Sequence, residues 1–248
     1  MRLRISFVVG ICFGIFGLSQ GAFADKQVFR PYAETGEWEY ETTGVYDFNH
    51  HDKTKNAVQE YKNAIGYGVN SFWHTELEVE TEAEPTDDAI TGVRATHLEF
   101  ENIFQLAPRG EYWLDPGLYL AYEAPLRNKE PGQFEAKILL EKDFQKVTNI
   151  LNLSLNKEVG GGADPHLDGG ISWSTRYRLS RYFEPGFEYW GDFGTITHQL
   201  VYNQQGHQVG PCFYGRLTRH INYNIGYLFG ISDAAPNGEV KWVLEYEF

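Results

Sequence analysis

The sequence is short of cysteine, of basic residues and of long apolar runs, and each shortage excludes something. Two cysteines occur in 248 residues. Cys12 sits deep in an apolar N-terminal run behind Ile11, too far inside it for a lipidation site, and Cys212 stands alone after it. One cysteine closes no internal disulfide, so the chain is not a stapled secreted mini-scaffold. Lysine and arginine number 21 against 34 aspartates and glutamates, a formal charge of −13. That balance excludes nucleic acid as a partner, because the phosphates would repel it. After residue 24 no stretch is apolar enough for a spanning helix, which needs about 20 residues. Internal repeats at a solenoid period, low-complexity tracts and linkers are also missing. The chain reads as one domain.

Residues 1–24 have the pattern of a signal peptide. Arg2 and Arg4 supply the positive start, Phe7 to Leu18 an apolar run broken only by small residues, and Ala22-Phe23-Ala24 a small-x-small cleavage site. The mature chain is then expected to start at Asp25 and to run for about 224 residues, a length that suits one β domain. Cleavage removes Arg2 and Arg4 and no acid, so 19 basic residues face 34 acids and the charge becomes −15. Aromatics make up 16% of the chain, yet its mean hydropathy is negative. A helical membrane protein cannot combine these properties. A membrane barrel can, because only alternate residues face lipid.

Parity supplies the architecture. In the last nine residues Val240, Trp242, Leu244, Tyr246 and Phe248 share one parity, while Lys241, Glu245 and Glu247 fall on the other. A period of two with one oily and one wet face is a half-buried strand. The same rule holds upstream. Trp38, Tyr40, Thr42 and Tyr46 alternate with Glu37, Glu39, Glu41 and Asp47, and Trp73, Leu77 and Val79 with Glu76, Glu78 and Glu80. Leu98, Phe100, Phe104 and Leu106 oppose Glu99 and Glu101, and Tyr112 to Tyr122 reads as a fifth strand. Five more strands follow before a strand around Ile221–Ile231 and the terminal one. The segment near Phe183 to Trp190 is the weakest, since Pro185 cannot donate to a ladder. Tyr61, Ile65, Tyr67 and Val69 define the second strand; Asn63 falls on its oily parity, and the sequence offers no reason for it. Residues 25–36 show no period and are expected at one rim.

Connections alternate between short turns and longer loops rich in Gly, Pro, Asp and Asn, as a barrel built from hairpins requires. The fold expected is all-β: a single closed antiparallel up-and-down transmembrane β-barrel of about twelve strands over residues 25–248. Closure leaves no unpaired edge, which lipid would penalise.

The signal peptide, the terminal Tyr246-Glu247-Phe248 and aromatics near strand ends such as Trp38, Tyr40, Trp73, Tyr112 and Trp242 resemble bacterial outer-membrane β-barrel proteins. The resemblance covers nearly all of the mature chain and implies export to the outer membrane of a Gram-negative bacterium. It implies outer-membrane lipid and the barrel-assembly machinery as partners, with Phe248 part of the assembly signal. Its motifs are those of a class and name no substrate. Some barrels of this size are small-solute channels or transporters, and one is a phospholipase.

The wet parity carries the candidate site. Glu76, Glu78, Glu99 and Glu101 lie on early strands, and Arg176, Arg178 and Arg216 on later ones. Closure brings the groups across from each other. They could line an aqueous lumen whose transverse field orients charged solutes. They could equally pair off and fill it, since a pair about 4 Å apart at ε near 20 gains roughly 4 kcal/mol before desolvation. The expected function is passage of small hydrophilic solutes. The alternatives are a plugged structural or binding barrel, or a membrane-embedded hydrolase. A soluble sandwich would alternate in the same way but turn its oily face inward.

No cofactor, metal site or catalytic group is expected. His50-His51-Asp52 would be adjacent loop residues, which splay apart where a metal needs three or four converging ligands. Gly160-Gly161-Gly162-Ala163-Asp164 lacks the lysine and helix of a phosphate loop. Phospholipase barrels carry a histidine followed closely by serine, asparagine and glycine; Pro236-Asn237-Gly238 has neither histidine nor serine.

Overall fold

The computed structural model describes residues 26–49, 56–83, 85–86, 89–90, 92–127 and 130–248. The signal segment, its cleavage point and His50-His51-Asp52 lie outside the described residues. Twelve strands close into one barrel: β1 (Trp38–Phe48), β2 (Gln59–Asn70), β3 (Trp73–Ala83), β6 (Arg94–Gln105), β7 (Asp115–Pro125), β8 (Gly132–Phe144), β9 (Val147–Val159), β10 (Asp168–Tyr177), β11 (Glu184–Thr195), β12 (Gly206–Arg216), β13 (Ile221–Gly230) and β14 (Gly238–Glu247). Each pairs antiparallel with its neighbours in chain order, and β14 pairs back onto β1. The short ribbon β4 (Pro85–Thr86) and β5 (Ala89–Ile90) stands apart, in the loop between β3 and β6. A 3₁₀ turn at Tyr202–Gln204 precedes β12.

The oily parity faces out. Ile65, Leu77, Phe100, Ile138, Leu153, Ile225 and Leu244 are exposed around the circumference. The charged parity faces in, with Glu41, Lys62, Glu78, Glu99, Lys137, Glu188 and Lys241 buried. A soluble sandwich would show the reverse. Every strand except the ribbon is long enough to cross the hydrocarbon layer, for which about 9–11 tilted residues suffice.

The seam between first and last strands is closed by register and shape. Phe248 N–H donates to Trp38 O at 2.8 Å, so the chain end is stitched to the start of β1. Across the same ladder Trp242 pairs with Gly44, and its indole covers that glycine: a Cβ on Gly44 would stand 2.0 Å from the ring.

The outward Asn63 finds a partner that the sequence did not reveal. Its Oδ1 accepts from the Tyr40 hydroxyl at 2.7 Å on the outer wall. The amide is thus half satisfied in a place where an unpaired one would cost several kcal/mol.

Three local expectations need correction. β7 starts at Asp115, so Tyr112, Trp113 and Leu114 belong to a turn of residues 106–114. Gly110, at φ +76°, and the bonds Glu111 N–H to Pro108 O and Gly110 N–H to Asp115 Oδ1 hold that turn. β11 reaches Thr195, well past the expected end, and tolerates Pro185 because it sits in the second position of the strand. Finally, the segment before β1 only begins at the rim. Residues 26–31 run back inside the barrel.

Candidate functional site

The interior is built from two kinds of residue: inward side chains of the strands, and the N-terminal segment that runs among them. Tyr32 OH donates to Asp115 Oδ2 at 2.8 Å and Ala33 N–H to Gln105 Oε1 at 3.2 Å, both at the rim of short turns. Further in, Arg30 makes a two-pronged contact with Glu141, Nε to Oε2 at 2.8 Å and Nη2 to Oε1 at 2.6 Å. Phe29 packs on Tyr119 with ring centroids 4.6 Å apart and completes a cluster with Ala121 and Leu139. Val28 rests on a second cluster of Trp190, Cys212, Tyr214 and Leu228. Gln27 donates to Glu41 at 2.9 Å, and Lys26 reaches Gln208 and Glu239 near the rim of long loops. The segment is therefore a strap through the lumen, with apolar contacts in the middle and polar ones at both ends.

Strap and wall fit because the wall leaves room for the chain. A Cβ on Gly117 would meet Pro31 Cβ at 2.6 Å, and one on Gly68 would meet the Glu34 carbonyl oxygen at 1.7 Å. Asn152 is 1% exposed and serves Phe29 on both sides: its Oδ1 accepts from Phe29 N–H at 2.8 Å and its Nδ2 donates to Phe29 O at 2.9 Å.

Beside the strap the wall charges pair with each other. Lys62 Nζ lies 2.7 Å from Glu78 and 3.0 Å from Glu99, whose other oxygen accepts from Tyr119 OH at 3.3 Å. Lys241 reaches both oxygens of Glu188, at 2.8 and 3.0 Å. Glu188 also accepts from Tyr214 OH, Trp190 Nε1 and Asn224 Nδ2. Both ends of this pair are almost fully enclosed. Lys137 bonds Glu135 and stands over the rings of Phe29 and Tyr119, at 4.3 and 4.2 Å. The cleft lined by Lys26, Thr43, Val45, Glu60 and Lys62 has ≈ 0 Å³ of room for a water-sized sphere.

The seven candidate lining residues fall into two groups. Glu76, Glu78, Glu99, Glu101 and Arg176 point inward from β3, β6 and β10. Arg176 reaches Glu184 at 3.5 Å and covers the ring of Tyr214. Arg178 lies past the end of β10, in a turn where it bonds Asp143, Thr148 and Gln145 O. Arg216 ends β12 at the same rim, half exposed, and bonds Glu247 and Asn222. The expected opposition of an acidic and a basic wall does not form inside. Glu78 and Glu99 are neutralised locally by Lys62, while two of the three arginines serve the rim.

Sequence reading missed the strap and the inward apolar residues. The second group carried a signal: Tyr119, Leu139, Ile150, Trp190, Cys212 and Leu228 all sit on the wet parity and are buried. Apolar groups facing a water-filled bore would be out of place, so their presence there marks a filled one.

This is the fold of bacterial outer-membrane porins and channels. The NanC porin superposes with a TM-score of 0.55 over 84% of this chain and 98% of its own, at 12% identity. An outer-membrane channel from Pseudomonas putida F1 superposes with a TM-score of 0.61 over 87% of this chain and 97% of its own, at 9% identity. No protein-family model and no curated protein sequence matches the chain.

Proposed function

We propose that the protein is an outer-membrane channel for small hydrophilic solutes, closed in this conformation by its own N-terminal strap. The observation that carries this reading is the course of residues 26–33 through the lumen, where they take the place a solute would need. The outward apolar face and the porin-like fold support the outer-membrane location and favour a channel over an enzyme. Phe248, 74% exposed beside the seam, is accessible to the assembly machinery in the role proposed for it. Outer-membrane lipid is the partner of the outer wall.

The strap is suited to being a movable closure. It belongs to no ladder, its end contacts are side-chain bonds, and the wall behind it carries charge. Glu76, Glu78, Glu99, Glu101 and Arg176 would line the space left by its departure, with Arg178 and Arg216 at the inner mouth. In planar bilayers the intact mature chain is expected to give rare or no current steps, and a variant lacking residues 26–33 frequent ones. A deletion variant that folds, shown by a mobility shift on heating, yet carries no current would overturn the channel reading. The second reading, a permanently plugged structural or binding barrel, is favoured by the Lys241–Glu188 and Lys62–Glu78–Glu99 contacts, which do not involve the strap. The same experiment separates the two.

A further inference from the structure

Among the described residues, three groups of acid-bearing side chains converge on the inner wall: Glu78–Glu99–Glu101, Glu80–His97–Glu123 and Glu39–His74–Glu76. Their geometry differs in a way that matters. In the first, Lys62 is already the cation, 2.7 and 3.0 Å from two of the carboxylates. In the second, the imidazole lies between the acids, with Nδ1 3.4 Å from Glu80 and Nε2 3.2 Å from Glu123. Each ring nitrogen serves one acid, as in an imidazolium bridge. A metal would need both acids on the side of one nitrogen.

The third group meets that condition. Glu39 Oε1 lies 2.9 Å and Glu76 Oε2 3.5 Å from the same atom, His74 Nε2. One N–H has a single proton, which the two acids could at best share in a three-centre bond. Zinc with arms of about 2.1 Å to nitrogen and oxygen separates neighbouring ligands by roughly 3.0–3.4 Å, and the two distances bracket that span closely enough that a small side-chain shift brings both onto one ion.

The sheet makes a place for this convergence. Glu39 pairs with Gly66 across β1 and β2, and Gly66 with Glu76 across β2 and β3. The two acids therefore start two strand spacings apart, roughly 9.6 Å. The missing side chain between them lets all three groups lean over β2: a Cβ on Gly66 would stand 2.7 Å from Glu39 Oε1 and 2.8 Å from His74 Nε2. The three side chains are 11–19% exposed, so the group is sheltered but reachable from the short-turn mouth.

We infer that Glu39, His74 and Glu76 form a binding site for a divalent transition cation of the zinc type, on the inner wall beside the short-turn mouth. The imidazole selects against magnesium and calcium, which prefer all-oxygen shells. The remaining coordination positions fall to water. This inference does not depend on whether the barrel conducts.

The test is calorimetric titration of the chelator-stripped mature chain in detergent with zinc chloride, and in parallel with magnesium chloride. One zinc per barrel is expected, with magnesium at least about tenfold weaker. H74A should lose the zinc site, E76Q should weaken it by about tenfold or more, and H97A should leave it intact. Heat-shifted mobility shows which variants fold; if H74A does not, E76Q carries the comparison. Zinc uptake that is the same in E76Q or H74A as in the parent, or equal uptake of magnesium, would overturn the site. Loss of binding in H97A alone would place the ion elsewhere and overturn it as well.

Discussion

Asn152 holds Phe29 as one strand holds another, with its side-chain amide accepting from the Phe29 N–H and donating to the Phe29 carbonyl. The strap has no ladder of its own, so this pair supplies what a neighbouring strand would give. Buried backbone groups need such partners wherever they run. One side chain from β9 thereby fixes the height of the strap in the barrel.

Replacing Asn152 by alanine removes both bonds and leaves two buried backbone groups to find water. A loss of about 1–3 kcal/mol in stability is expected, read as a lower midpoint for the heat-induced mobility shift. The same variant should conduct more often than the parent in bilayers. A lower midpoint with unchanged conductance would show that the strap stays in place without this contact.

Lys241 and Glu188 are a second case of mutual dependence. Both are sealed from solvent, and Glu188 collects five short contacts from four residues. K241M leaves a buried carboxylate without its counter-charge, so a cost of about 3–5 kcal/mol is expected. Pairing it with E188L should recover most of that loss, because an apolar pair of similar volume removes the stranded charge. A double variant as unstable as the single one would mean that Tyr214, Trp190 and Asn224 need the carboxylate for themselves.

Cys212 is fully buried between Trp190, Tyr214 and Leu228. The thiol should resist a maleimide reagent in the folded barrel and react after heating in detergent. Mass spectrometry before and after unfolding checks it. Fast labelling of the folded protein would mean that the wall around β12 opens under native conditions.

Most of the wall was legible in the sequence and most of its contents were not, for a physical reason. A strand in a barrel announces itself by period two, since lipid and lumen demand opposite chemistry from successive residues. Trp38–Asp47, Trp73–Glu80 and Val240–Phe248 show this plainly. The strap has no period because Phe29 meets a ring, Arg30 an acid and Pro31 a glycine: each neighbour is different. The pairing of Lys62 with Glu78 and Glu99 was equally hidden, since it depends on the register that sets β2, β3 and β6 side by side. Asn63 looked like an error on the oily face only because Tyr40, its partner, lies one strand away. The length of the turn before β7 was misread because Tyr112 and Trp113 look like strand residues although they sit at a rim, where aromatic rings are equally at home.

The indole of Trp242 over Gly44 bears on how the barrel seals. The first and last strands are the furthest apart in the chain, so their contact is the slowest to form. A slip of two residues keeps the faces right but sets that ring against Thr42 or Tyr46, where a side chain blocks it. Misalignment thus leaves the cylinder gaping rather than shut in the wrong setting, and a gaping cylinder can still come apart and try again. The absence of a Cβ on Gly44 thus ties the closing ladder to one register.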